Sequence, residues 1–126
     1  MRARVTRSFT FEAAHQLPWH PGRSRNLHGH HYRLEVTLEG PVGPDGIVVD
    51  FDELADRFGG LVSERYDHRY LNDLVDNPTA ELLAADAWKQ LEGVPLGPAP
   101  PGAGPVRLVR LRLWETPESS VELVAD

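Results

Sequence analysis

Alternation of apolar and polar side chains recurs in four separate stretches, and that period of two commits the chain to a sheet with one wet face. Between Val5 and Ala14, Phe9, Phe11 and Ala13 alternate with Thr10, Glu12 and Ala14, and His15 continues the Phe face. A turn-rich stretch from Pro18 to Asn26 precedes a second alternating run from His30 to Glu39. Val106 to Leu113 reads as a third, strictly alternating strand, paired with Val121 to Val124 across a turn at 116–119. Two helices fall between these pairs. After a short extended run, Ile47 to Asp50, Phe51, Leu54, Phe58, Leu61, Val62 and Tyr66 follow helical spacing, with Asp52, Glu53 and Asp56 near the positive end of the macrodipole and Gly59-Gly60 weakening the middle. The second helix is expected from Asn77-Pro78-Thr79, capped by Thr79 and ending near Gly93, with Leu82, Leu83, Ala87, Trp88 and Leu91 as its buried stripe. Residues 93–105 hold nine Gly or Pro among thirteen and read as a surface loop. The expectation is an α+β chain in the order β-β-α-α-β-β, with residues 1–126 forming one domain.

Composition narrows the function. At 126 residues and 40% apolar the chain suits one globular domain, and no run of about 18 apolar residues offers a membrane span. A net charge of -6, from 13 basic against 19 acidic residues, argues against a nucleic-acid partner. No apolar segment follows the basic N-terminus, so a cytoplasmic location is expected. The complete absence of cysteine removes disulfides, thiolate metal sites and thiol nucleophiles. A four-stranded sheet with two helices leaves edges for another copy of the chain, so a homo-oligomer is expected.

Chemistry concentrates in the histidines. His28 and His30 project to one face of a strand about 7 Å apart, and His15 at the end of the neighbouring strand offers a third nitrogen, while His31 faces away. Three imidazoles with one open position suit catalytic zinc, although a hydrogen-bonded polar strand entrance accounts for the same spacing. Asp67-His68 closes the first helix, where an aspartate beside a histidine suits proton transfer and a helix-end histidine equally suits the dipole. Glu115 interrupts the last apolar alternation; a carboxylate there fits the paired donors of a 2-amino-4-oxo heterocycle, or a solvated strand end.

Phe9 to Leu17, Leu27 to Tyr32, Val49 to Leu54, Asp67 to Asn72, Asn77 to Glu81 and Trp114 to Thr116 together resemble, in order and over nearly the whole chain, the 6-pyruvoyl-tetrahydropterin synthase and 6-carboxytetrahydropterin synthase family. The resemblance implies a T-fold: a four-stranded antiparallel sheet with two helices on one face, closing as a trimer or dimer of trimers. It also implies zinc on His15, His28 and His30, Glu115 as the pterin anchor, Asp67 and His68 as the proton-transfer pair, and Thr79 and Glu81 along the pocket. The spacing is closer to the bacterial enzymes of the 7-deazaguanine (queuosine) route, which implies conversion of 7,8-dihydroneopterin triphosphate to 6-carboxy-5,6,7,8-tetrahydropterin. Formation of 6-pyruvoyl-tetrahydropterin and cleavage of the dihydroneopterin side chain are the alternatives. Arg23 and Arg25, before the metal motif, are candidates for the triphosphate. One departure matters: Ser24 stands where the family's active-site cysteine lies, and an unassisted hydroxyl is a far poorer base than a thiolate. Either Ser24 is activated by Asp67-His68 or by zinc-bound hydroxide, or the chain is a paralogue that binds pterin or runs another pterin reaction, or the serine is an engineered replacement.

Overall fold

The computed structural model describes residues 1–96 and 105–126. Most of the Gly/Pro-rich loop expected at 93–105 lies outside the described residues. Strands β1 (Arg2–His15) and β2 (His28–Pro41) form a long antiparallel hairpin, followed by helix α1 (Phe51–Tyr66), strand β3 (Arg69–Tyr70), helix α2 (Ala80–Glu92) and strands β4 (Arg107–Thr116) and β5 (Ser119–Val124). The alternation already seen in the sequence sends Phe11, Ala13, Tyr32, Leu34, Val36, Leu38, Leu111 and Leu113 to one face. There they pack against Leu54, Phe58, Val62 and Tyr66 of α1 and Leu83, Ala84, Ala87 and Leu91 of α2. α1 lies over β1, and α2 over β4 and β5. The opposite face is polar, with Arg2 and Arg4 against Glu39, and Arg33 and Arg110 against Glu35.

Three expectations need correction. Among the described residues the sheet has five strands, ordered β3-β1-β2-β4-β5, and is mixed rather than wholly antiparallel, because β3 runs parallel to β1. The element order is therefore β-β-α-β-α-β-β. Two residues are too few to display a period of two, so Arg69 and Tyr70 gave no strand signal; they pair with Ala13 and Ala14 only because the chain leaving α1 falls onto the free edge of β1. The expected extended run at 47–50 forms no strand: Asp50 ends it by capping α1, its side chain accepting from the Asp52 N–H at 2.8 Å. Finally, β4 does not alternate strictly. Leu108 and Val109 are adjacent apolar residues, and the register slips there, Thr37 pairing with Arg110 while Leu38 pairs with Leu108.

Gly59 does not break α1. A side chain at Gly59 would meet the Phe9 ring at 3.3 Å, so its absence lets the helix lie close on β1. Thr79 caps α2 as expected, accepting from the Leu82 N–H at 3.2 Å. The helix pair is joined by Asp86, which accepts two bonds from Arg65 (3.0 and 2.9 Å) and one from the Tyr66 hydroxyl (2.6 Å). No helix among the described residues is long and apolar enough to cross a membrane.

Candidate metal centre and pterin site

Antiparallel pairing places His15 directly opposite His28, and the two-residue step along β2 brings His30 to the same face. One ring nitrogen from each of the three lies within 4.8 Å of the other two. The surrounding carbonyls fix which nitrogens converge. Nδ1 of His15 lies 2.8 Å from the Pro78 carbonyl, and Nδ1 of His28 lies 2.7 Å from the Asn26 carbonyl. A carbonyl only accepts, so both Nδ1 atoms carry protons, and the Nε2 that each ring turns inward is the atom left to bind a metal. Those two Nε2 atoms are 3.0 Å apart, and Nε2 of His30 is buried without any hydrogen-bond partner. The facing His15 and His28 lone pairs repel unless a proton or a metal cation lies between them, and the partnerless His30 Nε2 is turned to the same place.

Burial favours the neutral, ligating form of His15 and His30. His15, 1% exposed, has its pKa pushed below the ordinary 6.5 by desolvation, which outweighs the raising effects of the Pro78 carbonyl and the Glu115 charge. His30 is lowered for the same leading reason. The donor set, its tautomers and the orphaned His30 nitrogen therefore fit a divalent ion such as zinc, with the carbonyls orienting the ligands from behind. Glu115 reaches this cluster: one carboxylate oxygen is 3.6 Å from His15 Nε2 and 3.7 Å from His30 Nε2. Beside it the Tyr32 hydroxyl is buried without a partner, and burial followed by the Glu115 charge raises its pKa well above the usual phenol range.

Asp67 and His68 are tied to β1 from the other side. Asp67 Oδ1 accepts the Glu12 N–H at 2.9 Å, and the His68 N–H donates to the Glu12 carbonyl at 2.6 Å. Among the described residues His68 is the non-glycine residue held at positive φ, 59°, and its side chain stays 79% exposed. Its ring nitrogen is 3.9 Å from Asp67, and with Glu12, His30, His31, Arg69 and Tyr70 it lines one shallow hollow.

Comparison with known proteins matches residues 4–126 to the family model described as 6-pyruvoyl tetrahydropterin synthase. The chain belongs to that family. The 6-carboxy-5,6,7,8-tetrahydropterin synthase of Synechocystis is 42% identical over 100 residues, covering 72% of this chain and 78% of that one. The dihydroneopterin monophosphate aldolase of Pyrococcus furiosus is 39% identical over 127 residues, covering 98% of each. Among solved structures, the 6-pyruvoyl tetrahydropterin synthase of Caenorhabditis elegans superposes with a TM-score of 0.81 at 26% identity, over 100% of this chain and 97% of that one.

Within this pterin-synthase fold the other expected site residues are more scattered. Ser24 sits in a short 3-10 turn, Arg23–Arg25, tied to the segment just after β1 because the Leu17 N–H donates to the Ser24 carbonyl at 2.9 Å. Arg23 and Arg25 are exposed. The Thr79 hydroxyl is engaged in the α2 cap, and Glu81 is exposed in the first turn. Sequence reasoning missed the residues that hold the histidines: the Pro78 and Asn26 carbonyls, and Asn72. The Asn72 amide clasps Gln16, accepting from its N–H at 3.0 Å and donating to its carbonyl at 2.8 Å, immediately after His15. Its place in the quoted Asp67 to Asn72 motif was the available signal. Glu12 was read only as a polar strand position, yet it pairs with His31 and carries both backbone bonds to Asp67-His68.

Proposed function

We propose that the protein is a zinc-dependent lyase acting on the three-carbon side chain of a phosphorylated 7,8-dihydroneopterin, with cleavage of the C1′–C2′ bond as its reaction. The observation that carries the metal is the convergence of one ring nitrogen each from His15, His28 and His30 within 4.8 Å of one another, with Nδ1 of His15 and His28 turned to carbonyls and His30 Nε2 buried without a partner. An ion held there supplies Lewis acidity, lowering the pKa of side-chain hydroxyls that reach it. Glu115 offers a carboxylate to the paired N–H donors of a 2-amino-4-oxo ring. Asp67 and His68 form the proton-transfer pair, the His68 ring left open to solvent while its backbone is fixed on β1. Ser24, Thr79 and Glu81 border the pocket, and the exposed Arg23 and Arg25 meet the phosphates. A homo-oligomer built through the sheet edges completes the pocket between copies.

Ser24 selects the reaction. Producing a 6-pyruvoyl or 6-carboxy product starts from a carbon-bound proton, for which a serine hydroxyl is a poor base. Retro-aldol cleavage starts from the C2′ O–H proton, which a neutral imidazole removes near neutral pH; the electron pair of the broken C1′–C2′ bond flows into the ring C6=N5 imine, and the imidazolium returns the proton to C1′. The products are then 6-hydroxymethyl-7,8-dihydropterin and a phosphorylated glycolaldehyde. The full-length relationship to the Pyrococcus aldolase supports this reading. Formation of 6-carboxy-5,6,7,8-tetrahydropterin is the second reading, favoured by the Synechocystis relative. Incubating zinc-loaded protein with dihydroneopterin monophosphate and triphosphate, and weighing the pterin product by mass spectrometry, separates the two. If neither substrate is consumed, the protein is not this lyase.

A further inference from the structure

The position of Glu115 is not that of a carboxylate reserved for a heterocycle. Its oxygen stands 3.6 Å from one imidazole nitrogen and 3.7 Å from another. Neither contact is a hydrogen bond. His15 has its proton on Nδ1, committed to the Pro78 carbonyl, so its Nε2 has nothing to donate to Glu115. His30 Nε2 is buried with no hydrogen-bond partner at all. At His15 an acceptor oxygen faces an acceptor nitrogen, which is repulsive, and at His30 the separation is too long for a hydrogen bond, yet the spacing has a simple reading. Donors bound 2.0–2.2 Å from one tetrahedral zinc are about 3.3–3.6 Å from each other. Glu115 Oε1 thus stands near the distance expected between two ligands of a common ion.

We infer that Glu115 is the fourth ligand of the metal in the substrate-free protein, completing a three-histidine, one-carboxylate site. The inference rests on the metal reading given above and extends it. Local structure explains how the carboxylate arrives. Glu115 lies one residue past the Arg33–Trp114 pair of β2 and β4, and shares the inward face with Leu111 and Leu113. That register sets it beside Tyr32 and within reach of His30. A single carboxylate cannot ligate the ion and hold a pterin ring at once, so ring binding and metal ligation compete for it.

The test uses the full-length protein and metal alone. Zinc affinity is measured by competition against a chromophoric chelator, and the visible absorption of the cobalt(II)-loaded protein is recorded, for wild type, Glu115→Gln and Glu115→Asp. Glutamine keeps the shape without the charge, and aspartate keeps the charge while withdrawing it by one methylene. Both variants are expected to bind one ion per chain with affinity lowered at least 10–100-fold, and with an altered cobalt spectrum. A cobalt spectrum identical to wild type in both variants overturns the assignment whatever the affinity, and so does Glu115→Asp retaining both wild-type affinity and spectrum. Wild-type protein that binds neither metal instead overturns the metal reading on which the inference stands.

Discussion

Removing the Asn72 side chain tests whether the histidine geometry is held by the segment after α1. Its amide makes two bonds to the Gln16 backbone, at 3.0 and 2.8 Å, in a partly buried setting one residue from His15. Asn72→Ala deletes both and leaves a backbone donor and acceptor poorly solvated, at a cost of about 1–1.5 kcal/mol each and so about 2–3 kcal/mol together. For a domain of this size each kcal/mol moves the midpoint by about 4 °C, giving an expected fall of about 8–12 °C. Asn72→Asp keeps the acceptor for the Gln16 N–H and sets a second acceptor against the Gln16 carbonyl, so it should lie between. The assay is thermal unfolding followed by circular dichroism in excess chelator, with zinc affinity measured in parallel. Because the clasp orients a proposed ligand, zinc affinity should fall about 10–100-fold in Asn72→Ala. A midpoint within 2 °C of wild type together with unchanged zinc affinity refutes the reasoning.

Four further outcomes are expected. In chelator, protein stability should rise with pH across the window below 6.5: the folded pKa values of His15 and His30 are lowered, so the unfolded chain binds more protons there and acid favours it; urea midpoints that stay flat from pH 7.5 to 5 contradict this. Tyr66→Phe removes the 2.6 Å bond to Asp86 and should cost about 1.5–3 kcal/mol in urea unfolding, with zinc affinity unchanged. Thr79→Ala should cost about 1 kcal/mol through the lost α2 cap, and a loss of pterin binding without any stability change would place the hydroxyl in the pocket instead. Ser24→Cys should leave the rate of side-chain cleavage within about threefold, since a thiolate is not needed to deprotonate a hydroxyl; a rise by orders of magnitude contradicts the retro-aldol reading.

How far the sequence reveals this molecule depends on how long each signal runs. β1 and β2 are 14 residues each, long enough for a period of two to be unmistakable, and α1 and α2 are bounded by acidic first turns and capping residues that act locally. His28 and His30 share a face by the geometry of any strand, so their convergence needed only the partner strand to deliver His15. What stayed hidden depends on tertiary placement. β3 is two residues held by the edge it lands on, and the Pro78 and Asn26 carbonyls belong to backbone that any residue type supplies. The bulge at Val109 escapes a reading of strict alternation even though Leu108 and Val109 are adjacent apolar residues, and its effect on register required the partner strand. The nearness of Glu115 to the histidines follows from that same register, which carries it inward past Leu113 toward His30.

Anomalous diffraction at the zinc absorption edge, from crystals of the protein grown with one equivalent of zinc, tests the central claim most directly. The account predicts a single strong peak per chain about 2.0–2.1 Å from the Nε2 atoms of His15, His28 and His30. A map with no peak among those three nitrogens, or with zinc bound only at other residues, contradicts it.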